Sequence, residues 1–152
     1  MDARMPNPAT LLPDAVTGVQ QIFQAMHQGG APAATLELVH LRVSQINGCS
    51  ACVHGGVASA QKAGETVERL LMVATWRESD LFTPAERGAL AVAEAATRLA
   101  DTPEAVTDEL WADLTEHHDD KAVSAIILMV ALTNFFNRIN TTIRQPAGAT
   151  WS

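Results

Sequence analysis

The sequence is poor in the residues on which nucleic-acid binding and β-structure depend. It contains 10 Lys or Arg against 17 Asp or Glu, a formal net charge of −7, whereas phosphate binding needs clustered basic side chains. Tyr is absent, aromatic residues make up only 5%, and no stretch alternates β-branched and aromatic residues over a strand length. These absences disfavour a nucleic-acid partner and a β-rich fold, and they leave no basic stretch for an anionic membrane surface.

The sequence also lacks the apolar segments that export or membrane insertion requires. Residues 1–8 have neither the basic start nor the apolar core of a signal peptide. The longest apolar run, residues 125–132, is far short of the roughly 20 residues that cross a bilayer. We therefore expect a soluble, cytoplasmic protein with no membrane-spanning segment.

What the sequence does contain is a series of helix-forming segments separated by turn and cap residues. The clearest helix start is Thr83-Pro84-Ala85-Glu86, which has the pattern of a capping box with proline at the first helical position. The chain has 152 residues, of which 47% are hydrophobic, so it is long enough and apolar enough to bury a core. We therefore predict one all-α domain over residues 1–152. The predicted helices run from about Pro13 to Gln28, Pro32 to Ile46, the cysteines to Ala63, Glu65 to Arg77, Thr83 to Ala100, Thr102 to Thr115 and Asp119 to Ile143.

The two cysteines of the chain stand three positions apart at a predicted helix start. Cys49 and Cys52 follow Asn47-Gly48, a turn-forming pair, so they fall in the first turn of the next helix. Backbone N–H groups and the helix dipole stabilise a thiolate there. The i, i+3 spacing lets the two sulfurs meet in a disulfide. A dithiol–disulfide couple that exchanges electrons with a partner is the use that this pattern favours.

Two other uses of the cysteine pair are compatible with its spacing. The thiols could pack in the core as small apolar residues, or they could supply half of a zinc site completed by histidines. No second cysteine pair is present, so we expect neither a metal nor a cofactor. The histidines that a zinc site would have to recruit are His27, His40, His54, His117 and His118.

Three titratable residues close to the pair in sequence are candidates for proton transfer. Glu37 lies in the preceding helix, and a tight helical turn could return its carboxylate to the thiols, although a solvated surface glutamate is the alternative. His40 is three residues further on and shares a helix face with Glu37. His54 follows Cys52 by two residues, which turns its side chain roughly 200° around the helix and away from Cys52.

The pattern Glu37-x11-Cys49-x2-Cys52 resembles the AhpD-like alkylhydroperoxidases of the carboxymuconolactone decarboxylase superfamily. Residues 41–49, 74–78, 81–87 and 134–138 are similar to further segments of that family. The resemblance implies an all-α, AhpD-like helical subunit with its Cys-x-x-Cys pair at a helix N-terminus. It also implies a homo-oligomer, a trimer or a hexamer.

The same resemblance implies a peroxidase or disulfide oxidoreductase. In that scheme Cys52 attacks the peroxide, Cys49 resolves the product as a disulfide, and Glu37 takes part in a proton relay. A thiol or lipoyl-type donor then reduces the pair. The family usually places a relay histidine four residues after the second cysteine, and here that residue is Gly56. His40 is the histidine whose position suits it to replace the missing member.

Two alternative functions remain open from the sequence. One is a non-catalytic redox sensor or oligomeric binding protein, in which the disulfide changes packing. The other is the decarboxylase or lactone chemistry of the wider superfamily, which does not need a cysteine pair.

A second polar pattern lies in the last predicted helix. Asn134, Asn137 and Arg138 share one helix face at i, i+3 and i+4. We expect them to form a hydrogen-bonded seam. The candidate salt-bridge partners for this seam are Glu78, Glu86 and Glu94.

Overall fold

The computed structural model describes residues 2–149, which form helices joined by short turns and contain no β-strand within that range. The all-α prediction is confirmed. In chain order the helices are α1 (Pro8–Leu11), α2 (Pro13–His27), α3 (Ala33–Ile46), α4 (Ser50–Lys62), α5 (Val67–Met72), a 3₁₀ helix (Val73–Glu78), α6 (Pro84–Thr97), α7 (Asp108–His117) and α8 (Asp120–Ile143).

Two helices begin at the residues that the sequence predicts, and in each a side chain caps the first turn. The hydroxyl of Thr83 accepts a hydrogen bond from the Glu86 N–H, and the Glu86 carboxylate accepts one from the Thr83 N–H. The Asp119 carboxylate accepts from the Ala122 N–H. These bonds satisfy amide donors that have no partner within the helix, and they set the starts of α6 and α8.

Three sequence-based assignments of helices are wrong. The segment predicted as one helix after Gly64 is split into α5 and the 3₁₀ helix, with non-helical backbone at Thr75. The helix predicted to open at Thr102 begins only after Thr107, because Glu104 has a φ of 58° that a right-handed helix does not admit. The short helix α1, which Asn7 caps, was missed.

The third helix, α3, is the centre of the structure and packs against α4, α6 and α8. The turn from α3 into α4 passes through Gly48, whose φ of 66° lies in the left-handed region that favours glycine. This turn directs the start of α4 against the end of α8. The most deeply buried apolar side chains of α3 are Leu36, Leu38, Val39, Leu41 and Val43.

The last helix, α8, is 24 residues long and is apolar enough, by length and composition alone, to cross a membrane. Half of its most apolar stretch is buried inside the domain. Core helices of folded domains have the same composition, and the side chains of Ile126 and Met129 belong to the main core cluster. We therefore describe α8 as the core helix of this fold.

A buried carboxylate joins α3, the 3₁₀ helix and α6. Glu94 accepts hydrogen bonds from Arg42 Nε at 2.6 Å and Trp76 Nε1 at 3.0 Å, and it also forms a salt bridge with Arg77. Burial acts to raise the pKa of the Glu94 carboxyl, but the bonds from Arg77, Trp76 and Arg42 hold it below its usual value. Glu94 is therefore a structural anion. It was a candidate salt-bridge partner for the predicted seam on the last helix, but it binds these three residues instead.

Candidate active site

The two cysteines form a disulfide at the N-terminus of α4. Their Cα atoms are 5.3 Å apart. Cys49 is the N-cap residue, and its Sγ accepts a hydrogen bond from the Cys52 N–H at 3.3 Å. Both residues are buried, with exposed fractions of 2% and 6%. The predicted placement of the pair at a helix start is confirmed.

A network of side-chain amides holds the turn that precedes the cysteines. Asn47 Nδ2 donates to Asn134 Oδ1 at 3.0 Å and to Asn137 Oδ1 at 2.8 Å. Asn137 Nδ2 in turn donates to Ser44 Oγ at 3.1 Å. This is the seam predicted on the last helix, but Arg138 bonds to Asn134 of its own helix at 2.9 Å and not to a glutamate. The seam therefore ties the end of α3 to α8.

The sulfur of Cys52 has a polar neighbour that the sequence analysis missed. Asn140 lies on α8, is 6% exposed, and donates from Nδ2 to Cys52 Sγ at 3.3 Å. Its Oδ1 accepts from Asn7 Nδ2 at 3.4 Å. Spacing was the available signal, since Asn140 follows Asn137 by three residues and so lies on the face of α8 that carries the seam.

His40 lies between α8 and the first turn of α4. Its Nδ1 is 3.2 Å from Thr133 Oγ1, and its Nε2 is 3.3 Å from the carbonyl oxygen of Cys52. Burial lowers the pKa of the His40 imidazole below 6.5, although the hydrogen bond with Cys52 and the negative charge of Glu37 act in the opposite direction. The ring is therefore mainly neutral at pH 7, and its Nε2–H donates to the carbonyl oxygen of Cys52.

The His40 ring also occupies the space beside Gly56. A Cβ at position 56 would lie 2.6 Å from His40 Cδ2 and 3.0 Å from His40 Nε2. A side chain at this position therefore does not fit while the ring keeps its place. The imidazole on α3 takes the room that a side chain on α4 would need.

The other two candidate residues lie further from the sulfurs. Glu37 reaches α4, where its Oε1 accepts a hydrogen bond from Ser59 Oγ at 2.7 Å. No hydrogen bond joins Glu37 to either cysteine in the described structure. His54 is exposed, and a Cβ at Gly148 would lie 3.5 Å from its Cε1. It therefore faces the C-terminal segment and stands apart from the site around Cys52.

An open cavity of about 300 Å³ reaches the start of α4. Cys49 lines this cavity, whereas Cys52 does not. Within residues 2–149, no three His, Cys, Asp or Glu side chains come together as a group that could hold a metal ion. The cavity lining consists of Gly48, Cys49, Ser50, Ala51, Asn140, Thr141, Arg144 and Gln145.

Known proteins with similar sequences support one family. Residues 13–95 match the model of the carboxymuconolactone decarboxylase family. The uncharacterized protein YdfG of Bacillus subtilis is 30% identical over 139 residues, which cover 91% of this chain and 93% of that protein. The relationship to YdfG thus extends over nearly the whole chain.

Solved structures show the same fold. A protein of unknown function from Agrobacterium tumefaciens, which has been suggested to be the antioxidant defence protein AhpD, has a TM-score of 0.87 and 28% identity, covering 98% of this chain and 100% of that one. The debrominase Bmp8 has a TM-score of 0.79 and 21% identity, covering 92% of this chain and 74% of that one, and it shows the fold alone. The chain is therefore an AhpD-like member of the carboxymuconolactone decarboxylase family.

Proposed function

We propose that the protein reduces hydroperoxides with the dithiol of Cys49 and Cys52. The observation that carries the proposal is the disulfide at the N-terminus of α4, because the helix dipole and free backbone N–H groups there favour a thiolate nucleophile. Family membership and the suggested antioxidant role of the Agrobacterium protein support the same chemistry.

The proposed reaction oxidises two thiols and reduces one hydroperoxide. The Cys52 thiolate attacks the terminal oxygen of the hydroperoxide, an S–O bond forms, the O–O bond breaks, and the alkoxide takes a proton and leaves as an alcohol. Cys49 then attacks the sulfur of the Cys52 sulfenic acid, the disulfide forms, and water leaves. A thiol or lipoyl-type donor reduces the disulfide by exchange, and the donor is oxidised to its own disulfide.

We assign proton transfer at Cys52 to His40. The Thr133 hydroxyl can either donate or accept a hydrogen bond, so it is compatible with both tautomers of a neutral imidazole. In the disulfide form Nε2–H donates to the Cys52 carbonyl oxygen, so Nδ1 accepts from the Thr133 hydroxyl. To accept the thiol proton the ring takes the other tautomer, in which Nδ1–H donates to Thr133 and the lone pair of Nε2 is free. The lowered pKa of His40 supports this assignment, since it keeps the ring in its basic form at neutral pH.

We also infer that copies of the chain assemble into a homo-oligomer. The face formed by α6 and α8 contains an apolar groove of about 460 Å³. Leu99 and Ile127, both on this groove, have exposed fractions of 60% and 44%, and exposed apolar patches of this kind are typical of subunit contacts.

A cytoplasmic location agrees with the proposed redox cycle, because the cytosol supplies thiol reductants.

Single-turnover oxidation tests the proposed function. The reduced protein is mixed with an organic hydroperoxide and thiol loss is followed in the native chain, Cys52→Ser and Cys49→Ser. We expect loss of both thiols in the native chain, much faster than for a free thiol. Cys52→Ser should abolish the fast reaction, while Cys49→Ser should still form a sulfenic acid. Oxidation no faster than that of a free thiol would contradict the peroxidase hypothesis and favour the alternative of a redox sensor.

A further inference from the structure

The direction of the Asn140 side chain is fixed by a residue at the opposite end of the chain. Asn7 is 3% exposed, and its Oδ1 accepts from the Ala9 N–H at 2.9 Å as the cap of α1. Since a carboxamide has one accepting and one donating end, Nδ2 of Asn7 is the atom left to bond with Oδ1 of Asn140. The Nδ2 of Asn140 is thereby turned towards Cys52 Sγ.

The hydrogen bond from an amide donor to a buried sulfur differs in strength between the disulfide and the thiolate. A neutral disulfide sulfur is a weak hydrogen-bond acceptor. A thiolate is ionised, and hydrogen bonds to ionised groups are roughly twice as strong as those between neutral groups. A thiolate of Cys52, which is 6% exposed, would be costly to leave without a donor. The contact with Asn140 therefore strengthens when Cys52 becomes charged.

We propose that Asn140 is a further catalytic residue, whose amide stabilises the Cys52 thiolate, and that Asn7 is a positioning residue that directs this amide. The inference rests on the proposed function, in which Cys52 attacks the peroxide and leaves as a thiolate when a donor thiol attacks Cys49. In that exchange step the donor sulfur bonds to Cys49 Sγ, the bond between Cys49 and Cys52 breaks, and the electron pair stays on Cys52. Asn140 thus assists both halves of the cycle.

The pH dependence of Cys52 alkylation tests this proposal without any peroxide. In a Cys49→Ser background, Cys52 is the single thiol, and its rate of reaction with iodoacetamide reports the fraction of thiolate. Asn140→Leu removes the donor. Asn7→Ser keeps an acceptor for the Ala9 N–H and adds no charge, but it lacks the carboxamide donor that directs Asn140. We expect each substitution to raise the midpoint of the profile by about one pH unit, a loss of about tenfold in rate below the midpoint.

A matched control separates this effect from a general disturbance of α8. Ser124→Ala removes the side-chain hydrogen bond of an exposed residue near the start of the same helix, whose hydroxyl donates to the Asp120 carbonyl, and we expect its alkylation profile to match that of the Cys49→Ser parent. An unchanged midpoint in folded Asn140→Leu and Asn7→Ser proteins overturns the proposal. If Asn140→Leu does not fold, Asn7→Ser decides the question. Because the alkylation assay contains no peroxide, its result can be interpreted even if the peroxidase hypothesis fails.

Discussion

The imidazole of His40 lies where a side chain on Gly56 would have to go, since a Cβ on residue 56 would come within 2.6 Å of the ring. The histidine belongs to α3 and the glycine to α4, so the two residues depend on each other across a helix contact. The imidazole therefore belongs to α3, whereas the family resemblance implies a histidine at position 56 of α4.

The first prediction concerns this packing. Gly56→Ala should lower the free energy of unfolding by about 1–3 kcal/mol, because the new methyl group overlaps the His40 ring. In a His40→Ala background the same substitution should be neutral or stabilising, since alanine is the better helix former. Urea unfolding of the four proteins gives the coupling between the two positions.

The neighbouring Gly55 provides the control for that experiment. Apart from its chain neighbours and the nearby backbone of α4, no atom lies within 4 Å of a Cβ built at Gly55. Gly55→Ala should therefore stabilise the protein by about 0.5–1 kcal/mol through helix propensity alone. Equal effects of alanine at positions 55 and 56 would contradict the packing described for His40.

The second prediction is a pH dependence of stability that comes from His40. Burial lowers its pKa in the folded state below the ordinary value of 6.5, so between these two values the unfolded chain binds more protons than the folded one. The free energy of unfolding should therefore fall as the pH drops below about 6.5, and His40→Gln should flatten this dependence. Urea midpoints measured as a function of pH check it. An unchanged slope in His40→Gln would contradict this account.

The third prediction assigns Glu37 an electrostatic role. Its charge acts to raise the pKa of His40, so Glu37→Gln should move the acid limb of the thiol oxidation rate to lower pH, by less than about one unit. Glutamine can still accept the hydrogen bond from Ser59. Ser59→Ala removes that bond but keeps the charge, so it should leave the limb in place. A shift of the limb in Ser59→Ala but not in Glu37→Gln would refute the electrostatic account.

Residues close together in sequence were the part of this site that could be predicted. The cap at Thr83 and the helix start at the cysteines depend on a few adjacent residues, and both were predicted. The contact between Asn7 and Asn140 joins residues 133 positions apart, and it depends on where α1 meets α8. The packing of His40 on Gly56 likewise depends on the distance between two helices, which no local pattern specifies. A local pattern can also mislead. The residues at Thr102 favoured a helix start there, but the left-handed backbone at Glu104 does not permit it.

The fourth prediction concerns the buried carboxylate of α6. Glu94→Gln should lower the free energy of unfolding by about 1–3 kcal/mol, since charged hydrogen bonds with Arg42 and Arg77 are lost. Most of the loss should come from Arg42, whose side chain is 15% exposed, because Arg77 is 58% exposed and screened by solvent. Glu78→Gln, a change at an exposed position of the 3₁₀ helix, should stay within about 0.5 kcal/mol of the native protein.

The last prediction tests assembly through the face of α6 and α8. Ile127→Glu places a charge in the apolar groove, and burying an unpaired charge in a subunit contact is costly. We expect the native chain to sediment as an oligomer and the variant as a smaller species with its helix content preserved. Leu71 is 73% exposed on α5 and does not line the groove, so Leu71→Glu should leave the sedimentation coefficient unchanged. Dissociation by Leu71→Glu with Ile127→Glu still assembled would place the contact around α5 instead, and a monomeric native chain would remove the case for assembly altogether.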